Sequence, residues 1–191
     1  TYLVISPDFV ACHVPAYIDQ YDMLKGLKKG GTFLLNSLWD VEETKKRIPD
    51  DMKKFLAEND IKFYIINATR IAEEIGLGTR TNSIMQAAFF KLANVMPYED
   101  AVKHMKSAVD KSYGKKGEDV VKMNYAAIDQ GADGLVKVDI PAEWKNISTT
   151  RQKARGDVPD FIKKIADPMN HLEGDSLPVS AFVDFPDGTF P

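Results

Sequence analysis

IKFYIINATRIAEEIGLGTRTN, residues 61–82, runs from a strand pattern through one polar residue into a helical pattern. Residues 61–66 form an apolar run with little alternation, which is how a strand covered on both faces reads. Asn67 ends the run, and residues 68–75 follow as a short helix. A strand feeding a helix in this way is the repeating unit of α/β sheets. Such sheets gather their ligands at the carboxyl ends of the strands.

The same alternation extends in both directions. Residues 2–6 and 9–13 read as two short buried strands separated by Pro7 and Asp8. Pro15 opens a helix through residue 29, with Tyr17, Tyr21, Leu24 and Leu27 at helical spacing, and Gly30 with Gly31 stops it. Residues 32–35 are the next strand, with Asn36 and Ser37 at its carboxyl end. Asp40 and Glu43 make a capping box for a helix to about Arg47, and Pro49 restarts a helix through Asn59. Residues 84–95 are apolar almost all round and predict a buried helix. Two amphipathic helices over 98–113 and 118–130 flank a Gly-Lys-Lys-Gly turn, and residues 135–138 form a late strand. The expected fold is α/β: a three-layer α/β/α arrangement on a mostly parallel or mixed sheet, incomplete at its N-terminus.

From about Ser148 the texture changes. Arg151, Lys153 and Arg155 precede Gly156 and then Pro159, Pro168, Pro178, Pro186 and Pro191, the pattern of an extended tail that wraps or links. The expected division is therefore residues 1–147 and 148–191.

Composition narrows the functional classes. Hydrophobic content of 44% and charged content of 28% are ordinary for a globular protein, and the net charge of −3 supplies no broad basic field for nucleic acid. No apolar stretch approaches the roughly 18–20 residues that span a bilayer. The strand-like start TYLVIS does not read as a signal peptide, and a cytoplasmic location is the expectation. The absence of an initiator Met and the strand-like start are read as those of a piece of something larger. A single Cys12 cannot build a disulfide framework or hold an iron–sulfur cluster, which needs about four thiolates. Cys12 and His13 alternate to opposite faces of a strand and cannot pair, so Cys12 reads as core packing. His104 and His171 lack ligand-spaced partners, and no metal site is expected.

The loop after Asn67 has two readings. Helix amino termini present free N–H groups to anions, and Arg70 and Arg80 can supply bidentate charge to a phosphate. Gly76 and Gly78 do not complete a dinucleotide fingerprint, since position 81 is Thr and no strand immediately precedes Gly76. The other reading has Asn67 as an N-cap, Gly76 just past a helix C-terminus, and Thr81 as the next cap. Lys111, Lys115 and Lys116 are likewise either phosphate contacts or a solvated turn.

Three segments carry a resemblance: FVACHVPAYIDQYDMLKGLKKGGTFLLNSLW, IKFYIINATRIAEEIGLGTRTNSIMQAAFFKL and DPMNHLEGDSLPVSAFVDFPDGTFP. Together they resemble the long single-chain enzymes of the pyruvate:ferredoxin (or flavodoxin) oxidoreductase family. Residues 1–147 look like most of the internal gamma-like domain, and residues 148–191 like the start of the following Glu-Lys-Arg linker domain. The resemblance implies a parent enzyme that converts pyruvate and coenzyme A to acetyl-CoA and carbon dioxide. Its cofactors would be thiamine diphosphate, magnesium and [4Fe–4S] clusters, and its acceptor ferredoxin or flavodoxin. Partners would be other domains of the same polypeptide, in a homodimer, with neither nucleic acid nor membrane.

The resemblance also implies that this region helps bind coenzyme A. Asn67, Thr69, Arg70, Arg80 and Asn82 are the matching positions, Arg70 standing where relatives commonly have Lys. No catalytic residue and no metal ligand is expected here. The family's domain begins with a glycine-rich turn and a Lys-Ser-Gly-Gly segment that are not present in this sequence. The chain alone is therefore expected to bind coenzyme A weakly or not at all, and to be inactive. An alternative makes it a docking module between thiamine and iron–sulfur domains with no ligand of its own. A free-standing nucleotide-binding protein is a third reading, disfavoured by the missing phosphate fingerprint.

Overall fold

Apolar runs without alternation need cover on both faces, and the layers follow from that requirement. The computed structural model describes residues 4–148, 158–171 and 173–184. The chain divides into two compact units, Thr1–Thr149 and Thr150–Pro191.

In the first unit, strands β1 (Phe9–Cys12), β2 (Thr32–Asn36) and β3 (Lys62–Ile66) are parallel neighbours. A short β4 (Val136–Val138) joins β3 antiparallel, giving the order β1-β2-β3-β4. Helices α1 (Val41–Arg47) and α2 (Asp50–Glu58) connect β2 to β3. Between β3 and β4 lie α3 (Ala68–Glu74), α4 (Asn82–Ala93), α5 (Tyr98–Tyr113) and α6 (Glu118–Asp133).

The period-two alternation of the strands builds two cores. Cys12, Phe33, Leu35, Phe63, Ile65 and Val138 face one way, onto Ile18, Leu24, Leu27, Met52, Leu56 and Trp144. Phe33 and Phe63 are register partners, so their rings stack with centroids 5.4 Å apart. Leu34 and Ile66 face the other way, onto Ile71, Ala72, Ile84, Met85, Ala88 and Ala127 of α3, α4 and α6. The expected α/β layering with a mixed sheet is therefore present.

Local signals explain most element ends. Asp40 caps α1 by accepting from the Glu43 N–H at 2.8 Å. Glu43 does not complete the capping box; its carboxylate pairs with Arg47 Nε at 2.6 Å. The end of α3 is a full Schellman motif: Gly76 has φ +81°, its N–H donates to Glu73 O at 3.1 Å, and Leu77 N–H donates to Ala72 O at 2.8 Å. Thr81, expected as a cap, makes no side-chain cap bond at the start of α4.

Three expectations need correction. The helix expected over 15–29 is only a 3-10 helix, Pro15–Asp19, followed by turns. Gly26 adopts φ +81°, where a Cβ would collide with the Ile5 carbonyl, so the chain turns there while still burying Leu24 and Leu27. Of the strand expected over 2–6, residues 2–3 lie outside the described residues and residues 4–6 are not a strand. Val4 and Ile5 are 76% and 85% exposed, with the Ile5 carbonyl against the Gly26 turn. In the second unit, the described part of the tail is not extended. It comprises a π-helical turn (Ile162–Ala166), α7 (Asp167–Asn170) and 3-10 turns at Gly174–Ser176 and Val179–Phe182. Arg151, Lys153, Arg155, Gly156, Pro186 and Pro191 lie outside the described residues.

α4 and α6 cross closely at Gly131, where an added Cβ would stand 2.5 Å from the Ile84 carbonyl oxygen and 3.0 Å from its Cα. Helix propensity alone favours Gly131→Ala by roughly 0.5–1 kcal/mol. The crowding opposes this and costs about 1–3 kcal/mol, so the variant is expected to unfold at lower temperature in calorimetry. Burial pushes the Cys12 thiol pKa up, outweighing a smaller lowering effect from the Val14 backbone. At pH 8.5 Cys12 is therefore expected to resist iodoacetamide in the native protein and to react after denaturation, as read by mass spectrometry.

Candidate functional site

Parallel strands deliver their carboxyl ends to one edge, and here that edge collects His13, Asn36, Ser37 and residues 67–70. Asn36 is 4% exposed and ends the central strand. Its Nδ2 donates to His13 O at 3.0 Å and to Thr69 Oγ1 at 3.5 Å, while its Oδ1 accepts from the Ala68 N–H at 3.0 Å. Beside it, Ser37 N–H donates to Ile66 O at 2.8 Å, and the buried hydroxyls of Ser37 and Thr44 lie 3.1 Å apart. Asn67 is the N-cap of α3, its Oδ1 accepting from the Arg70 N–H at 2.9 Å.

These contacts alter the chemistry of the α3 N-terminus. The N–H groups of Ala68 and Arg70 are both taken by side-chain oxygens, so little of the backbone remains for an anion. Charge on this half comes from Arg70, whose guanidinium is exposed with Nε 3.6 Å from Glu74. The capping role read for Asn67 is thus present, and the backbone part of the anion reading is closed off at α3.

Arg80 and Asn82 stand at the start of α4, where the position of the chain follows from glycine contacts. Gly131 near the end of α6 packs on Ile84, and Gly134 packs on Ile71 and Ile66 at the end of β3. The first turn of α4 is therefore level with the carboxyl edge. Arg80 is exposed, and Thr81 makes no side-chain cap bond to the first turn of this 12-residue helix. Asn82 and Ser83 also line a groove of about 340 Å³ between α4 and α5, with Gln86, His104 and Tyr113 further along it. Lys116 Nζ lies 5.2 Å from the centroid of the Tyr113 ring.

The structure thus brings Asn67, Thr69 and Arg70 together directly, and sets Arg80 and Asn82 at the same edge. Among the described residues no hydrogen bond or ion pair joins the two groups. Sequence reasoning placed Asn36 at a strand end without giving it a role. The available signal was a carboxamide closing a strand that is otherwise apolar and buried. A second cavity of about 380 Å³ lies at the opposite edge, lined by Leu56, Asp60, Lys62, Lys137 and Lys145.

Cys12 is buried, and burial pushes its thiol pKa up. Among the described residues no three His, Cys, Asp or Glu side chains converge on a metal-sized site. No described helix is long and apolar enough to cross a membrane.

Residues 1–134 match the family model described as pyruvate ferredoxin/flavodoxin oxidoreductase, and residues 148–191 match the EKR model, a domain of unknown function. The pyruvate:ferredoxin oxidoreductase of Moorella thermoacetica is 47% identical over 190 residues, covering 100% of this chain and 16% of the relative. The pyruvate-flavodoxin oxidoreductase of Enterobacter agglomerans is 48% identical over 190 residues, with the same two shares of 100% and 16%. This chain therefore spans about a sixth of the length of these relatives. In fold it is similar to the pyruvate oxidoreductase subunit PORC of Thermotoga maritima. The TM-score is 0.57 at 19% identity, over 71% of this chain and 67% of that one. With most of its length under one family model and all of it aligned to these relatives, the chain belongs to the pyruvate ferredoxin/flavodoxin oxidoreductase family.

Proposed function

We propose that this chain is a segment of a pyruvate:ferredoxin or pyruvate:flavodoxin oxidoreductase and forms part of the wall of its coenzyme A site. The observation that carries the reading is the arrival of α3 and α4 at one sheet edge, with Arg70 and Arg80 beside their N-termini. Coenzyme A carries a pyrophosphate and a 3′-phosphate, and exposed guanidinium groups suit both. In this reading Asn67, Thr69 and Arg70 form one half of the contact, and Arg80 and Asn82 the other. The α4 half offers backbone N–H groups as well as charge, whereas the α3 half offers side chains.

The parent enzyme would oxidise pyruvate with coenzyme A to acetyl-CoA and carbon dioxide, reducing ferredoxin or flavodoxin. Thiamine diphosphate with magnesium supplies carbanion stabilisation in such chemistry, and [4Fe–4S] clusters carry the electrons. With one cysteine this chain alone cannot supply the roughly four thiolates of a cluster, and among the described residues no group of His, Cys, Asp or Glu converges on a metal-sized site. It contributes no catalytic residue and is inactive alone. Residues 1–147 would act as the gamma-like domain and 148–191 as the start of the linker domain, both docking on other domains of the same polypeptide in a cytoplasmic homodimer.

A second reading, a docking module without a ligand, draws on Val14, Tyr17 and Leu38, exposed by 41%, 42% and 58% just past the ends of β1 and β2. Calorimetric titration of coenzyme A into the full-length enzyme separates the two. The Arg70→Ala, Arg80→Ala variant is expected to bind about tenfold more weakly, as loss of charge-assisted hydrogen bonds predicts. Unchanged affinity would favour the docking module.

A further inference from the structure

Among the described residues Asn36 is the one buried carboxamide at the carboxyl edge, and both its ends are committed by chemistry. The Ala68 N–H can only donate and the His13 carbonyl can only accept, so Oδ1 must face Ala68 and Nδ2 must face His13. The second Nδ2 hydrogen points at Thr69 Oγ1, 3.5 Å away. A hydroxyl that receives a hydrogen bond from behind has its own hydrogen left to give. Thr69 is half-buried, and its hydroxyl donates to no described residue.

We infer that Asn36 is a positioning residue for the coenzyme-facing edge: it ties the exit of β1 to the start of α3 and turns the Thr69 hydroxyl outward as a hydrogen-bond donor. The group that Thr69 meets is then an acceptor, such as an anionic phosphate oxygen. The α3 backbone is not the binding element here, because Asn36 and Asn67 occupy its Ala68 and Arg70 N–H groups. The inference rests on the coenzyme A reading above and assigns a residue which that reading leaves without a role.

The test uses the full-length enzyme, with KM measured separately for coenzyme A and for pyruvate. Asn36→Asp keeps the acceptor for Ala68 and removes both donors. It is expected to raise KM for coenzyme A about tenfold while KM for pyruvate stays within twofold. Thr69→Val should produce a similar rise, and Thr69→Ser, which keeps the hydroxyl, should recover most of it. The double variant Asn36→Asp, Thr69→Val should be no weaker than Thr69→Val alone, because the first residue acts through the second. If Asn36→Asp does not fold, the Thr69 pair decides: equal KM for Val and Ser overturns the inference. An Arg80→Ala variant that weakens coenzyme A binding while the Asn36 and Thr69 variants leave it unchanged overturns this inference and leaves the coenzyme reading standing. No effect from any of them removes both.

Discussion

Every residue of β2 is buried, and the other elements of the first unit are placed by the need to cover that strand. Leu34 requires apolar cover on one face, and Phe33 and Leu35 require it on the other. Neighbouring parallel strands satisfy the backbone on both sides, while helices and turns close the two faces. A strand buried on both faces can show its polar groups only at its ends. That is why Thr32 and Asn36, the two polar residues of β2, bracket it and why the chemistry gathers at one edge.

The layered fold was legible because its signals are local and repeated. The run 61–66, the stop at Asn67 and the glycine at position 76 each read correctly, since each depends on a few neighbouring residues. The helix expected after Pro15 stops instead as a 3-10 helix at Asp19. Tyr17, Tyr21, Leu24 and Leu27 have helical spacing, but Gly26 among them takes a left-handed conformation against the Ile5 carbonyl. Periodicity records which side chains are buried; it does not record whether the backbone between them stays helical.

The candidate site was less legible than the fold. Asn67 and Thr69 can be noticed in the sequence, but Asn36, which meets the Ala68 N–H and the Thr69 hydroxyl, lies 32 and 33 positions earlier in the chain. Its contacts to His13 and Ala68 exist only once three strand ends are side by side. Thr81 illustrates the converse: a residue well suited to cap a helix does not do so here. Capping and ligand binding compete for the same N–H groups, so a sequence with good caps can be read either way until the bonds are placed.

The early stop of α3 at Gly76 also shapes the carboxyl edge of the first unit. Because α3 is short, the chain returns to the carboxyl edge before starting α4, and both helices direct the same end toward it. Each helix end carries about half a positive charge from its aligned peptide dipoles, screened within roughly a turn. At α3 the Ala68 and Arg70 N–H groups are already engaged by Asn36 and Asn67, so the less heavily capped helix end at this edge is that of α4.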